Sequence, residues 1–97
     1  MSFEPGQTDP AGDPRLKRLR YQAWHRGMRE MDLILGSFAD RCLATLLSDE
    51  LDELERLFAV ADTTLYRWIS GQEVVAESYD TLLMQRLKTW ATTHAHI

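Results

Sequence analysis

Apolar residues recur every three or four positions along most of this chain, which is the spacing of one face of an α-helix. The first such stripe begins at Pro14, which suits a first helical turn because its missing N–H has no partner there. Gly27 interrupts the pattern, as glycine often does just past a helix end. We therefore predict a first helix that ends before Gly27, with its buried stripe at Leu16, Leu19, Ala23 and Trp24.

The second apolar stripe is the widest and predicts a helix over residues 28–47. Its width is typical of the central helix of a small bundle. Gly36 lies inside this stripe, where glycine costs about 1 kcal/mol relative to alanine, so we expect a close helix–helix contact or a local bend there. The predicted buried positions are Met31, Ile34, Leu35, Phe38, Cys42, Leu43, Leu46 and Leu47.

Three shorter helices are predicted in the second half of the chain. Ser48 is expected to be the N-cap of a third helix, whose acidic first turns favour the positive end of the helix dipole. Asp62 is expected to cap a short fourth helix that stops at Gly71. A loop over residues 72–76 then leads to a fifth helix over residues 77–92. The predicted buried positions are Leu51, Leu54, Leu57, Phe58, Leu65, Trp68, Ile69, Tyr79, Leu82, Leu83, Leu87 and Trp90.

No segment alternates apolar and polar residues for long enough to predict a strand. The fold class is therefore expected to be all-α, a compact five-helix bundle with a disordered N-terminal tail. The tail is assigned to residues 1–14, which hold all three prolines and two of the five glycines. Residues 15–93 are expected to form a single helical domain.

Size and composition narrow the class of protein. A chain of 97 residues fits one domain with a thin core, because only roughly 60–65% of the unfolded surface is buried at this size. No apolar run approaches the ~20 residues that span a bilayer. One cysteine forms no internal disulfide, and the acidic first residues match neither a secretory signal nor a transit peptide. We expect a cytoplasmic, bacterial protein.

The net charge of −4 hides a strong asymmetry along the chain. Residues 15–29 hold six basic residues and no acidic one, whereas residues 30–97 hold twelve acidic and five basic residues, which gives −7. A basic first helix of this kind has two interpretations. It can pair with the acidic body of the same protein, or it can form a docking surface that attracts an acidic partner.

The sequence offers little support for catalysis. Cys42 lies on the apolar stripe of the second helix, which favours a buried structural thiol. His25, His94 and His96 do not form a set of three or four converging metal ligands. The remaining glycines are scattered and form no phosphate-binding loop. We therefore expect a protein that is not an enzyme, with no catalytic residue, no metal and no stably bound cofactor.

The segment Arg26-Gly27-Met28-Arg29-Glu30 between the first two helices stands apart from this pattern. Gly27 can adopt positive φ and lets another backbone approach closely. Arg26 and Arg29 offer planar donors that suit carboxylates or phosphates. Glu30 can reach back to cap the second helix. That cap would be a purely structural role, but it leaves the clustered arginines and an exposed Met28 unexplained.

Together with its surroundings this segment resembles a known family. Arg26-Gly27-x-x-Glu30 followed by Met31-Asp32 resembles the RGxxE signature of the FAD assembly factors of succinate dehydrogenase, also called flavinators. The acidic stretch 47–58 looks like the family's third helix. Residues 62–71 are similar to its short D-x-x-L-x-x-W-I-x-G helix. The order and spacing match over about residues 15–90.

The resemblance implies a chaperone-like assembly factor that binds the flavoprotein subunit of succinate dehydrogenase and, in some bacteria, of fumarate reductase. There it would promote covalent flavinylation, with FAD remaining the cofactor of the client protein. By the family motif, Arg26, Gly27 and Glu30 carry over as the partner-binding patch. Asp32 would be a neighbour in that patch, and Met28 and Arg29 occupy its variable positions. We expect a monomer. The family's proline after the fourth helix is replaced by Gln72-Glu73-Val74-Val75.

Two other functions remain open at this point. Residues 62–71 look like the recognition helix of a helix-turn-helix DNA-binding module, but they offer only Arg67 to a phosphate backbone. Trp68 and Ile69 are better interpreted as core residues. The other alternative is a generic helical protein-binding domain that uses its basic first helix.

Overall fold

Five α-helices build residues 13–94, the part of the chain that the structure, a computed structural model, describes. The helices are α1 (Pro14–Trp24), α2 (Arg29–Cys42), α3 (Ser48–Phe58), α4 (Asp62–Ile69) and α5 (Leu82–His94). Within these residues no strand occurs, and the predicted all-α five-helix architecture is confirmed. Of the predicted tail, residues 1–12 lie outside the described residues. Asp13 caps α1, because its Oδ1 accepts a hydrogen bond from the backbone N–H of Arg15 at 2.9 Å.

The closest helix pair is α1 and α2, and it explains the glycine inside the second stripe. The indole ring of Trp24 lies directly against Gly36, so that a Cβ at this position would overlap the ring. The Trp24 Nε1–H also donates to the Asp40 carboxylate at 3.2 Å. Of the two alternatives predicted at Gly36, a close helix contact or a local bend, the structure shows the close contact.

Helix α2 is the central element, as its wide stripe predicted. It packs against α1, α4 and α5. Its core side chains meet α5 through Phe38, whose ring stands edge-on to Trp90 with centroids 5.9 Å apart. The Trp90 Nε1–H donates to the Ser37 hydroxyl at 2.9 Å, which satisfies the polar end of a half-buried indole.

The second helix is shorter than predicted. It ends at Cys42, a 3₁₀ turn follows over Leu43–Thr45, and the backbone is extended at Leu46. Leu43 and Leu46 are nevertheless buried, so the apolar spacing continued past the point where the helix ended. The prediction that Leu47 is buried is wrong, since its side chain is 70% exposed.

The fifth helix begins five residues later than predicted. Glu77–Tyr79 forms a separate 3₁₀ turn, and the backbone of Asp80 (φ −88°, ψ 78°) leaves the helical region. The Thr81 hydroxyl then accepts a hydrogen bond from the backbone N–H of Met84 at 3.2 Å and caps α5. Leu82, predicted to be buried, is 81% exposed, and Met84 is in the core instead.

The two predicted N-caps are each displaced by one residue. Leu47 and Ala61 occupy the cap positions of α3 and α4, so Ser48 and Asp62 are the first helical residues. The Glu50 carboxylate caps α3 by accepting a hydrogen bond from the backbone N–H of Leu47 at 2.8 Å. Asp62 is not a cap, because its carboxylate binds an arginine from another part of the chain.

Candidate functional site

Gly27 is an open point of the connection between α1 and α2. It adopts φ 104°, in the left-handed region that favours glycine, as the sequence predicted. It is exposed, and no atom lies within 4 Å of the position that its Cβ would take. The backbone at Gly27 is therefore accessible to the backbone of another protein.

The Asp32 carboxylate holds the backbone of the Gly27 turn in place. Its Oδ1 accepts hydrogen bonds from the backbone N–H groups of Arg26 at 2.6 Å and Gly27 at 3.3 Å. The prediction that Glu30 caps this helix is wrong, because no side chain caps α2 at its N-cap, Met28. Asp32, which the sequence suggested only as a neighbour of the patch, is a structural support of the turn.

The Arg26 side chain points inward and is held by three hydrogen bonds. Its Nε donates to the Asp62 carboxylate at 2.6 Å. Its two terminal nitrogens donate to the backbone carbonyls of Phe58 at 2.6 Å and Val60 at 2.7 Å. These carbonyls lie at the end of α3, where backbone oxygens lack helical partners. We call this set of contacts the Arg26 anchor.

The Arg26 anchor changes the expected role of that arginine. Its side chain is only 10% exposed, so its guanidinium is engaged inside the protein and does not lie open to a partner. Met28, expected to be exposed, is half-buried and packs against the core. Arg29 and Glu30 are exposed on the first turn of α2. The six predicted residues thus lie in the connection between α1 and α2 and in the first helical turn of α2, and Gly27, Arg29 and Glu30 are exposed. Contact of this patch with a partner remains a prediction.

Asp62 is the site residue that the sequence interpretation missed. It was assigned as a helix cap, although it belongs to a stretch that resembles the family's fourth helix. In the structure it is 36 residues away in sequence from Arg26 and yet forms a largely buried ion pair with it, with side chains 10% and 17% exposed. The Arg26 anchor therefore joins the RGxxE-like segment to the other two stretches that carry the resemblance, through Phe58 and Asp62.

The basic residues of α1 pair mainly with the acidic body of the protein. Arg15 contacts both Asp52 at 2.6 Å and Glu55 at 2.9 Å, and Arg18 contacts Glu55 at 2.7 Å. Arg20 lies 3.3 Å from Asp40. Internal pairing, the first of the two interpretations, accounts for these side chains.

This network shifts the titration of its members. The guanidinium of Arg18, followed by that of Arg15, lowers the pKa of Glu55 by hydrogen bonding to its carboxylate. The hydrogen bond that the Arg15 guanidinium donates to the Asp52 carboxylate raises the pKa of Arg15. Both shifts favour the charged, paired state at neutral pH.

The features of the alternative functions have structural explanations. Trp68 and Ile69 are buried in the core as predicted, with exposures of 6% and 3%. Arg67, the one base of the proposed recognition helix, is paired with Glu73 at 3.0 Å.

Cys42 is half-buried, rather than fully buried as expected. Among residues 13–94, no three potential metal ligands converge. No helix in that range is long and apolar enough to cross a membrane.

Comparison with known proteins places this fold and turn in a family. The model of the family described as flavinator of succinate dehydrogenase matches residues 17–91. The chain belongs to this family. The matched range includes the whole Gly27 turn and the Arg26 anchor, and the resemblance inferred from the sequence is confirmed at the level of the family.

Individual relatives support the same assignment. The FAD assembly factor SdhE of Acetobacter pasteurianus is 30% identical over 73 residues, which cover 75% of this chain and 67% of that protein. The mitochondrial succinate dehydrogenase assembly factor 2 of Debaryomyces hansenii is 41% identical over 69 residues, and that of Mycosarcoma maydis is 35% identical over 81 residues. The matches cover 70% and 79% of this chain, but only 49% and 34% of those relatives. No solved structure matches the chain significantly.

Proposed function

We propose that this flavinator-family protein binds the flavoprotein subunit of succinate dehydrogenase and promotes the covalent attachment of its FAD. The flavoprotein subunit of fumarate reductase is a second proposed client. Support comes from the match of the family model over residues 17–91 and from relatives named as FAD or succinate dehydrogenase assembly factors. The observation that indicates which surface binds the client is the exposed Gly27 turn. The contacts of Arg26 with Asp32 and Asp62 hold this turn in place.

The proposed role is not catalytic. Covalent flavinylation joins a histidine of the client to the flavin, and the linkage chemistry belongs to those two groups. Holding reacting groups in the right geometry can lower a barrier substantially. A protein that binds the competent arrangement of the client more tightly than other arrangements increases its population. FAD then stays with the client, and the assembly factor acts as a monomer without a stably bound cofactor.

The geometry of the turn suits contact with a protein backbone. Gly27 leaves open space above the turn, and Arg29 and Glu30 place opposite charges on the exposed first turn of α2. Arg26 and Asp32 hold this surface from inside the protein. A rigid surface loses little conformational entropy on binding.

A reconstitution with matched glycine variants tests the proposal. Apo-flavoprotein subunit, FAD and the assembly factor are incubated together, and covalent flavin is measured after denaturation. Gly27→Arg is compared with Gly71→Arg. Both glycines have positive φ (104° and 85°) and open surroundings, so both substitutions impose similar backbone strain, roughly 1–2 kcal/mol. Gly71 lies beyond the far end of α4, about 12 Å along the helix axis from Asp62.

We expect wild type and Gly71→Arg to stimulate flavinylation and Gly27→Arg to lose that stimulation. No stimulation by wild type would contradict the proposed function. Equal loss in both variants would show that backbone strain, rather than contact at the turn, is responsible.

Equilibrium dialysis against free FAD tests the absence of stable FAD binding. Cell fractionation tests the proposed location in the bacterial cytoplasm.

A further inference from the structure

An exposed aromatic pair lies on α1 immediately before the Gly27 turn. The rings of Tyr21 and His25 stack with centroids 3.9 Å apart and planes inclined by 16°. Tyr21 is 63% exposed and is one of five large hydrophobic residues that are exposed among the described residues. The exposed Tyr21 ring does not pack in the hydrophobic core, so the core does not explain its presence.

The aromatic pair is held in one geometry. The His25 Nδ1 lies 2.7 Å from the backbone carbonyl of Tyr21. A carbonyl oxygen only accepts hydrogen bonds, so Nδ1 must be the donor, which fixes the orientation of the imidazole. The histidine ring in turn supports one face of the tyrosine ring. Rigid aromatic side chains supply contact area at low entropic cost, which is why they are frequent at interfaces.

A cleft borders the aromatic pair on each side. One cleft lies between the pair and the side chains of Arg26 and Phe58. The other lies between the pair and Trp24, with Lys17 at its edge. Tyr21 and His25 line both clefts, so the pair forms a raised step between two depressions. We call this surface the Tyr21–His25 step.

The charged side chains that line the two clefts are all basic. None of the described residues that line either cleft is acidic. The guanidiniums of Arg20 and Arg26 have acidic partners within the protein. Lys17 is exposed, and no carboxylate among residues 13–94 forms an ion pair with it.

We infer that the Tyr21–His25 step is a second contact surface for the client flavoprotein, adjoining the Gly27 turn. It suits a client segment in which an apolar side chain is next to a carboxylate. The apolar group fills a cleft against Tyr21, and the carboxylate lies near Lys17. This inference rests on the proposed function, because it takes the same client and extends the surface from residue 27 back along α1.

The test measures the affinity of the purified full chain for the apo-flavoprotein subunit, at low and high salt. Tyr21→Ala removes the step and leaves an exposed helical position that tolerates alanine. Leu82→Ala is the matched control, since Leu82 is also exposed, at 81%, but lies on α5. We expect Tyr21→Ala to weaken binding about tenfold or more and Leu82→Ala to leave it within about twofold. Circular dichroism verifies that both variants are folded.

Charge reversal tests the chemistry of the partner. Lys17→Glu should weaken client binding and reduce its salt dependence, whereas Lys88→Glu on α5, with the same change in net charge, should do neither. Wild-type affinity in Tyr21→Ala, together with lost affinity in Gly27→Arg, would overturn the inference and leave the proposed function intact. No client binding by the wild-type chain would contradict the proposed function itself. Sedimentation could also show that the wild type is a dimer and that Tyr21→Ala is a monomer. If the client affinity of Tyr21→Ala were unchanged as well, the step would be a self-association surface instead.

Discussion

One ion pair in the turn after α1 and a network of ion pairs on α1 connect this region to the acidic body of the protein. The two differ in their exposure to water. Arg26 binds Asp62 at 2.6 Å with side chains 10% and 17% exposed. Arg15 and Arg18 bind Asp52 and Glu55 at 2.6–2.9 Å with side chains 31–63% exposed. We call the second set the surface network. The distances are nearly equal, so distance alone does not rank the two sets.

The difference in burial determines what happens when a partner is removed. At the surface, water replaces a lost partner and salt screens the charge that remains. In the Arg26 anchor, a lost carboxylate leaves a guanidinium buried without its counter-charge. The anchor also provides partners for two backbone carbonyls at the end of α3. We therefore expect the stability of the fold to depend on the anchor far more than on the surface network.

Asp62→Ala should give the largest effect. It leaves Arg26, whose side chain is 10% exposed, without its counter-charge. Loss of one partner from a fully buried pair costs about 3–5 kcal/mol, and the slight exposure of this pair places the expected loss near the lower end, at about 3 kcal/mol. That is a large share of the roughly 5–15 kcal/mol typical of a folded domain. Urea denaturation measures the loss in the free energy of unfolding. Asp62→Asn keeps an oxygen acceptor and should lose less. An unchanged denaturation midpoint for Asp62→Ala would contradict the assigned role of the anchor.

Arg26→Lys should give an intermediate effect. Lysine keeps the positive charge but has a single nitrogen, which cannot reach Asp62 and both carbonyls in the planar arrangement of a guanidinium. Loss of two hydrogen bonds at these partly buried carbonyls costs about 1–3 kcal/mol. The same denaturation series measures it. A variant as stable as wild type would show that charge, rather than the three-point geometry, is what the anchor requires.

Glu55→Gln should give a much smaller loss of stability, because the whole surface network is partly exposed. The loss should shrink further in 1 M salt, where the Debye length falls to about 3 Å. Thermal unfolding at low and high salt measures this effect. A loss comparable to that of Asp62→Ala, and insensitive to salt, would remove the distinction between the two sets of ion pairs.

The smallest expected effect is a contribution of Glu55 to acid sensitivity. Its pKa is lowered in the folded protein, first by Arg18 and then by Arg15. Its contribution is therefore complete above the unfolded pKa of about 4.3 and is lost as the pH falls through the lower folded value. Unfolding curves measured from pH 6 to pH 3 should fall less steeply for Glu55→Gln than for wild type. Parallel curves would contradict the shift.

Local sequence patterns predicted the number of helices and, at Gly36, either a close helix contact or a local bend. The cost of Gly36 inside an apolar helix pointed to one of these two, and Trp24 provides the close contact. Helix ends were less predictable. Leu43 and Leu46 continue the apolar spacing although the helix has ended at Cys42. Periodicity records burial, and a buried 3₁₀ turn has nearly the same spacing as a helix.

The candidate site was predicted in part. Positive φ at Gly27 follows from glycine chemistry, and the resemblance to flavinators indicated the turn. The inward position of Arg26 could not be inferred, because its partners at Phe58, Val60 and Asp62 are more than 30 residues away in sequence. An arginine in a charged loop is usually exposed, so local sequence favoured the wrong position. Only the packing of α3 and α4 against the turn shows that this arginine is internal.

The central claim is that this protein acts on a flavoprotein client through the Gly27 turn. The most direct measurement is in-gel flavin fluorescence of the succinate dehydrogenase flavoprotein subunit, denatured to remove loosely bound FAD, from cells that lack this protein. We predict a strong loss of fluorescence at normal flavoprotein abundance, restored by wild type and by Gly71→Arg but not by Gly27→Arg. Unchanged fluorescence in cells that lack the protein would contradict the claim.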